Sequence, residues 1–491
     1  MTRARLSLAA LAVALVATAA PAPARPRANQ SADPAPAPIP AHWPVGEAYV
    51  QASDAALPRY TYQMAANDAR LSRVIEAALA HNQDLAAAFA NIEAARQAAR
   101  ISSAALLPEI DANGGYTRAG GDGRLVSGAT TKGDLFSATG TMASYEVDLF
   151  GRLRGLAAQS RAQYLATGYG ARATRLTLIA SVANGWLTLA ADRSLLKLAR
   201  DTATSAQTSV RLTKRRVEGG IAPLSDQRKA ELTLHQAEAD IAAQTTAVAQ
   251  DVNALRLLVG ADVAEADLPT GIDDVGTAQA TISAGLSSAI LLRRPDVMQA
   301  EFTLRAAEAQ VDAARAAMFP KITLTGVAGV ASQAFSSLFT GGAFAFGGTG
   351  GITYPIFKGG ALKAGWRQAQ AQRDAQLAAY RKAIQSAFSD VANVLARQGT
   401  IEAQLTATQE ARDAASENWR LTDRRYQGGI GTWLDALTAQ QTLYSSEKTL
   451  VSAKLARAGN VIGLYRALGG EEATPWPAAP APLPLPQPIR R

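Results

Sequence analysis

"RLTKRRVEGGI" (Arg211–Ile221) and "RLTDRRYQGGI" (Arg420–Ile430) stand 209 residues apart in a 491-residue chain and agree at eight of eleven positions. Recurrence at half the chain length signals two copies of one structural plan. The phrase reads as a helix end. Its arginines suit the negative pole of a helix dipole, and glycines just past a helix end allow the backbone to turn. The residues before each copy bear this out in sequence: Arg152–Glu218 and Ala361–Gln427 are each 67 residues long and contain no proline. At about 1.5 Å per residue each reaches roughly 100 Å, beyond an ordinary domain.

The first long segment carries Ile179, Val182, Trp186, Leu189 and Leu196 at three-four spacing, a narrow seam that Arg193 interrupts. Such a thin stripe needs helical neighbours along its whole length. Gly168, Gly170 and Gly185 read as candidate bends in it. The next helix begins near Ser225–Asp226 in the first copy and at Thr432 in the second, all acceptable capping residues.

Other segments alternate with a period of two, the mark of strands. In "TMASYEVDLF" (Thr141–Phe150), Ala143, Tyr145, Val147 and Leu149 oppose Ser144, Glu146 and Asp148. Ile110, Ala112 and Tyr116 oppose Asp111, Asn113 and Thr117; Ile322 and Leu324 oppose Lys321, Thr323 and Thr325. In "FAFGGTGGITYPI", Phe344, Phe346, Ile352, Tyr354 and Ile356 share a face, with small residues opposite. That run lacks the GK[ST] of a phosphate loop and sits among strand signals. Two hairpins result, at about 108–150 and 320–357, with glycine-rich turns at Gly120–Gly133 and near Gly341 and strands of roughly ten residues, the length of a tilted membrane strand. Four strands cannot close a barrel alone, and open edges are not tolerated in lipid, so strands and helices alike must be pooled among several chains.

Composition narrows the function. The net charge of +8 is spread rather than clustered, with no basic block or aromatic-basic patch for nucleic acid. The absence of cysteine excludes disulfides, thiol nucleophiles and cysteine-held metals. His42, His81 and His235 are far apart and in no ligand spacing. No Ser–His–Asp set, paired buried acids or metal constellation appears, which argues against an enzyme and gives no cofactor. Asp201, Asp226 and Asp240 read as solvated helix faces. Residues 1–19, with Arg3 and Arg5, the apolar run Leu6–Val16 and Ala17-Thr18-Ala19, have the form of a cleaved secretory signal. A Pro/Ala-rich stretch follows at 20–41, and a Pro-rich tail closes the chain at 469–491. No apolar run is long enough for a membrane helix. The organisation is then a first repeat at 42–260 with a helical hairpin at 152–260, a linker at 261–290, and a second repeat at 291–468 with a hairpin at 361–468.

These motifs resemble a known family. "LLRRPDVMQAEFTLRAAEAQVDAARAAMFPKITLT" (Leu291–Thr325), "YEVDLFGRLR", "YPIFKGG" and "RRYQGGIGTWLDALTAQQTLYSSEKTL" are similar, in order, to the TolC-like outer-membrane efflux channels, NodT-type branch, over about residues 42–468. The resemblance implies a mainly α fold with a membrane β-barrel portion. It implies a homotrimer in which four strands per protomer form a 12-stranded barrel in outer-membrane lipid, and long hairpins form a periplasmic α-barrel. It further implies a passive duct that docks on a periplasmic adaptor and an RND-type inner-membrane transporter to export small molecules. Type I protein secretion and a poreless periplasmic scaffold are the alternatives. NodT-type members usually carry a lipid-bearing cysteine after the signal; its absence here implies an unlipidated protein.

The resemblance also assigns residues. Tyr426 matches the tyrosine of the family's inner tip, Asp435 its first acidic gate position, Thr438 a second position that is usually acidic, and Gly431 a turn position that is basic in some members. Arg424 and Arg425 are the candidate partners of Asp435. Gly219, Gly220 and Ile221, with Gly428, Gly429, Ile430 and Gly431, form the expected docking tips. Without the family, Asp435 is an ordinary acid in a first helical turn.

Overall fold

A computed structural model describes residues 67–119, 133–276 and 288–470, with a few isolated positions between 43 and 63. The signal, the 20–41 stretch, His42, most of the 120–133 turn and the tail from 471 lie outside the described residues. In chain order the elements are α1 (Ala69–His81), α2 (Gln83–Ala104), β1 (Asp111–Ala119), β2 (Gly133–Val147), α3 (Arg152–Glu218), α4 (Leu224–Val259), α5 (Pro295–Ala316), β3 (Lys321–Ser332), β4 (Phe344–Thr353), α6 (Ala361–Gln427) and α7 (Trp433–Ala467).

The repeat is visible in these lengths. Helices α3 and α6 each run 67 unbroken residues, and α2 and α5 each run 22. The chain pairs α3 with α4 and α6 with α7 as hairpins, while α2 and α5 lie along α3 and α5 also along α6. The four strands form a single antiparallel sheet in the order β1-β2-β3-β4, leaving β1 and β4 as open edges.

The predicted seam of α3 is the centre of the core. Ile179, Val182, Trp186 and Leu189 are almost wholly buried against Leu71, Val74 and Ile75 of α1 and Leu255 and Val259 of α4. Burying each such side chain stabilises by about 1.5–3 kcal/mol relative to exposure. The Trp186 indole donates to the Asp267 carbonyl at 2.9 Å, so its polar edge is satisfied inside. Arg193 leaves the seam to donate to Pro269 O at 2.8 Å and to Glu265 at 2.6 Å. Residues 261–276 are thereby strapped across the helices, with Arg70 on Asp274 and the Ser194 hydroxyl on the Ile272 amide. The glycines of α3 are points of close approach within a continuous helix. A Cβ at Gly170 would meet Gln299 of α5 at 3.1 Å, and one at Gly185 would meet Leu255 at 3.3 Å.

Arg294, in the RRPDV motif, ties three helices together. Its guanidinium is buried and donates to Asp296 at 2.8 Å, to Asp390 of α6 at 3.0 Å and to the Ala467 carbonyl at the end of α7 at 3.0 Å. The planar fork of arginine lets one group serve all three.

Of the two expected helix starts, one differs. Helix α4 begins at Leu224 with Pro223 in the cap position and no side-chain cap, so Ser225 and Asp226 lie inside it. Proline lacks one of the amides that a helix start leaves unpaired and has a fixed φ, and the Asp226 amide is met by the Pro223 carbonyl at 3.0 Å. Thr432 does cap α7, accepting from the Asp435 amide at 3.1 Å.

The sequence also shows no paired acids, yet the α3–α4 packing brings Asp192 and Asp251 together. Burial and the facing Asp192 carboxylate push Asp251 up to about 6. One Asp251 oxygen is sealed from solvent with no hydrogen-bond donor.

Two outcomes follow from this packing. Arg294→Ala is expected to cost about 1–3 kcal/mol in detergent-solubilised protein followed by denaturant unfolding, because it removes the buried guanidinium's charged hydrogen bonds, and Arg294→Lys recovers only part of that. Asp251 binds its proton more tightly folded than unfolded. Its stabilisation is therefore present below about pH 4, declines as pH rises from the ordinary value of 3.8 through about 6, and is absent above. Asp251→Asn should therefore gain melting temperature on the native chain as pH rises across that window, read as the difference between the two at each pH.

Candidate functional site

Function in this architecture rests on two regions: the face that the sheet presents and the ends of the long hairpins.

The sheet register sorts the strand side chains onto two faces. Directly opposed residues share a face. One face carries Tyr116, Phe136, Ala138 and Met142, joined across β3 and β4 by Val330, Leu324, Phe344, Phe346 and Ile352. Phe346 is 81% exposed and Ile352 74%. The other face carries Asp111, Asn113, Ser137, Thr139, Thr141, Thr323, Thr325 and Thr349. Apolar residues on one side and hydroxyls and acids on the other match a wall with lipid outside and water inside. Aromatic groups gather at both ends: Tyr116 and Phe136 with centroids 4.9 Å apart at one, Phe150 stacked on Phe319 at 4.9 Å at the other. Such belts sit at membrane interfaces.

One detail corrects the sequence pattern. The β2–β3 register shifts between Met142 and Tyr145, a bulge with Ser144 at φ 56°. Ala143 therefore lies in the bulge rather than in phase with Tyr145 and Val147, and Leu149 lies beyond the strand. The extra residue flips the parity of β2, so Phe136 and Tyr145 share the apolar face and Glu146 turns to the polar one. Glu146 there accepts from Arg152 at 2.8 and 2.6 Å, with Lys321 at 4.0 Å, where sheet becomes helix.

Both hairpin tips close by the same backbone device. Gly220 and Gly429 take φ of +73° and +74°. The Gly220 and Ile221 amides donate to Val217 O and Arg216 O at 3.0 and 2.9 Å; the Gly429 and Ile430 amides donate to Tyr426 O and Arg425 O at 3.1 and 3.0 Å. This Schellman closure requires the left-handed conformation at its penultimate residue. Gly219 and Gly428 remain helical, so only the second glycine of each doublet uses that freedom. Gly431 is glycine for another reason: a Cβ there would meet Arg425 Cβ and Tyr426 N, both at 3.1 Å. Ile221 and Ile430 project at the tips, 70% and 75% exposed.

The three proposed gate positions do not all point the same way. Tyr426 is buried, its ring 5.1 Å from Trp433 and covered by the Arg216 guanidinium of the other tip at 4.8 Å. Ala230, Ala436 and Leu437 complete this small core, which fastens the second tip to the first. Asp435 and Thr438 stand together on the exposed face of α7. Neither Arg424 nor Arg425 pairs with Asp435 within the described protomer, so the expected ion pair is not made there.

Above the tips, the two hairpins are joined by a cluster that the sequence did not reveal. Asp240 of α4 accepts from the Tyr444 hydroxyl at 2.6 Å and from Lys448 at 3.4 Å, both on α7. Burial works to raise Asp240, but the Tyr444 hydroxyl and the Lys448 charge outweigh it and hold the carboxyl below its usual range. Gln440 adds a bond to Ser205 of α3 at 3.0 Å. The partners lie 204 and 208 residues from Asp240, and no local pattern predicts such a contact. Asp201 behaves as expected, exposed and paired with Lys197. His81 and His235 are both exposed, and His235 lies 2.9 Å from Glu238.

Known proteins agree with this geometry. The outer membrane efflux protein family matches residues 74–261 and 286–470. The chain belongs to that family. It is 38% identical over 436 residues to the probable efflux pump outer membrane protein TtgC of Pseudomonas putida, covering 88% of this chain and 89% of TtgC. It is also 38% identical over 437 residues to the solvent efflux pump outer membrane protein SrpC of Pseudomonas putida, covering 88% and 92%. Among solved structures, the open state of the MtrE outer membrane channel of Neisseria gonorrhoeae superposes with a TM-score of 0.77 at 33% identity, covering 88% of this chain and 97% of MtrE. The protein is an outer-membrane efflux channel component, mainly helical with a β-barrel portion.

The tip geometry gives a paired test. Gly429→Ala forces a left-handed alanine and is expected to cost about 1–2 kcal/mol locally, whereas Gly428→Ala keeps helical angles and costs much less. Hydrogen exchange of the amides at 426–431 reads the difference as faster exchange in the first variant alone.

Proposed function

We propose that three copies of this chain form a passive duct that carries small apolar and amphipathic molecules from the periplasm through the outer membrane. The sheet with two open edges carries the reading. Backbone groups at a bare edge cannot face hydrocarbon, so β4 of one copy pairs with β1 of the next. Two copies would give eight strands, a barrel whose interior side chains fill it; three give twelve and leave a lumen. The polar sheet face then lines that lumen. The 67-residue helices, about 100 Å each, continue the wall away from the membrane.

The relatives are named as the outer membrane proteins of efflux pumps, which assigns the energy to partners: a periplasmic adaptor seated on the tips and an RND-type transporter in the inner membrane. The exposed Ile221 and Ile430 and the tight turns at Gly219–Gly220 and Gly428–Gly431 form the docking points. Asp435 and Thr438 from three copies form the constriction, with one ring of carboxylates that repel one another. Tyr426 acts differently, holding the second hairpin to the first from inside the tip. The chemical class of cargo follows from the relatives, named for toluene, solvent and antibiotic efflux.

The decisive experiment is conductance of the purified protein in planar bilayers. Asp435→Ala is expected to raise single-channel conductance, and unchanged conductance removes Asp435 from the constriction. Asp240→Asn with Tyr444→Phe is expected to raise the open fraction by loosening the hairpins, while protein recovered from the soluble periplasm would end the channel reading. Bulky substitution at Gly220 or Gly429 should abolish solvent tolerance in cells while the purified oligomer still assembles.

A further inference from the structure

Helices α4 and α7 are fastened at two heights and stand apart between them. Toward the tip, Ala230 of α4 packs with Ala436 and Leu437 of α7, where small side chains let the helices touch. Further along both helices, Asp240 holds Tyr444 and Lys448. Between these points a cavity of about 250 Å³ opens, with α3 as its third wall. Helix α4 presents Leu232, Thr233 and Ala237 to it, α7 presents Gln440 and Tyr444, and α3 presents Thr202.

The wall offers the cavity mostly carbon. The Tyr444 hydroxyl donates to Asp240 at 2.6 Å, the Gln440 amide to Ser205 at 3.0 Å and the Thr233 hydroxyl to the Lys229 carbonyl at 3.2 Å, so these groups are engaged outside the cavity. Left facing it are an aromatic ring, methylenes and a methyl, beside Leu232 and Ala237. No charged residue lines it among the described residues. Asp240 and Lys448 line a separate cavity that shares Tyr444 and Gln236 with this one. An empty space of this kind forfeits dispersion contacts, and water gains little in it without polar partners. A charged occupant would lose its hydration with nothing in the wall to replace it. A dry apolar cavity of about 150 Å³ already accepts benzene. A rigid ring loses little conformational freedom on entry, and Tyr444 offers it an aromatic partner.

We infer that this cavity is a binding site for a small neutral aromatic molecule of one ring, seated between the two repeats. The occupant bears on Tyr444 and Gln440, the side chains that tie α7 to α4 and α3, and so fastens that seam. Leu232 and Gln441, both exposed, form the mouth through which it enters. The site is built from one protomer and does not depend on the transport reading.

The test is fluorine NMR of fluorobenzene added to the full chain in detergent, compared with empty micelles and with variants in the same detergent. The native protein is expected to broaden the resonance beyond micelles alone. Thr233→Val keeps the volume and should keep the broadening, whereas Thr233→Leu fills the cavity and should remove most of it. The charged probe para-fluorobenzylammonium should show no broadening beyond micelles. Equal broadening with the native chain and Thr233→Leu, or equal broadening of the charged probe, overturns the site. A second measurement does not need the filling variant to fold. The chain has no cysteine, so Gln441→Cys carries a single thiol at the mouth. Fluorobenzene at about twice its Kd should slow alkylation of that thiol about threefold. An unchanged rate overturns the site. So does a thiol already shielded in the assembled protein before any probe is added, because a neighbouring copy would then occupy the cavity.

Discussion

Hydrocarbon offers a backbone no hydrogen bonds, and that constraint organises this molecule. A sheet of four strands with both edges bare cannot rest in a membrane by itself. The need for closure makes the protomer a fraction of a functional object. The same incompleteness runs through the helices, whose apolar stripes are too narrow to stabilise a free rod of about 100 Å. Near Trp186, where α1, α3, α4 and residues 261–276 meet, the protomer has a deep core of its own. Sheet and tips extend from that core in opposite senses along the long helices, and each reaches its working geometry through neighbours.

The two repeats share a plan but divide the labour. Their long helices have equal length and their tips the same turn, yet Val217 and Pro223 of the first become Tyr426 and Thr432 of the second. The second tip can thus bury an aromatic pair against the first, under Arg216. Asp240 with Tyr444 and Lys448 repeats that fastening higher up. The two hairpins are thus held together by apolar packing at the tip and near Trp186, with polar contacts between.

Much of this was legible in the residues. Proline-free runs marked α3 and α6 to their end residues, the three-four spacing marked the buried seam, and alternation marked four strands, with side chains sorted onto the same two faces on three of them. What escaped were contacts between distant segments. Arg294 reads as part of a motif, but its partners Asp390 and Ala467 lie far along the chain. Asp240 looked like a surface acid because an amphipathic helix with a thin stripe leaves most positions equivalent until a neighbour is placed. Tyr426 was matched to a gate by its position next to the turn; its burial depends on Trp433 and on a residue from the other repeat. The start of α4 was placed one or two residues late because the helix begins after Pro223 without any capping side chain. The β2 pattern failed at one point, where an inserted residue changed the phase.

That insertion at Ser144 makes backbone conformation, as well as residue type, a determinant of which way β2 faces. The seven residues from Gly133 to Thr139 and the pair Tyr145–Glu146 belong to opposite phases of one strand, reconciled by a single backbone position. Substitutions along β2 change one side chain each. Straightening the bulge with all its residues in place would instead turn Tyr145 and Glu146 over together, whereas loss of Ser144 would set Met142 and Tyr145 two positions apart, as Gly326 and Leu324 are on β3, and keep both faces. The left-handed backbone at Ser144 absorbs the extra residue, a constraint carried by conformation that comparison of residue types alone would not register.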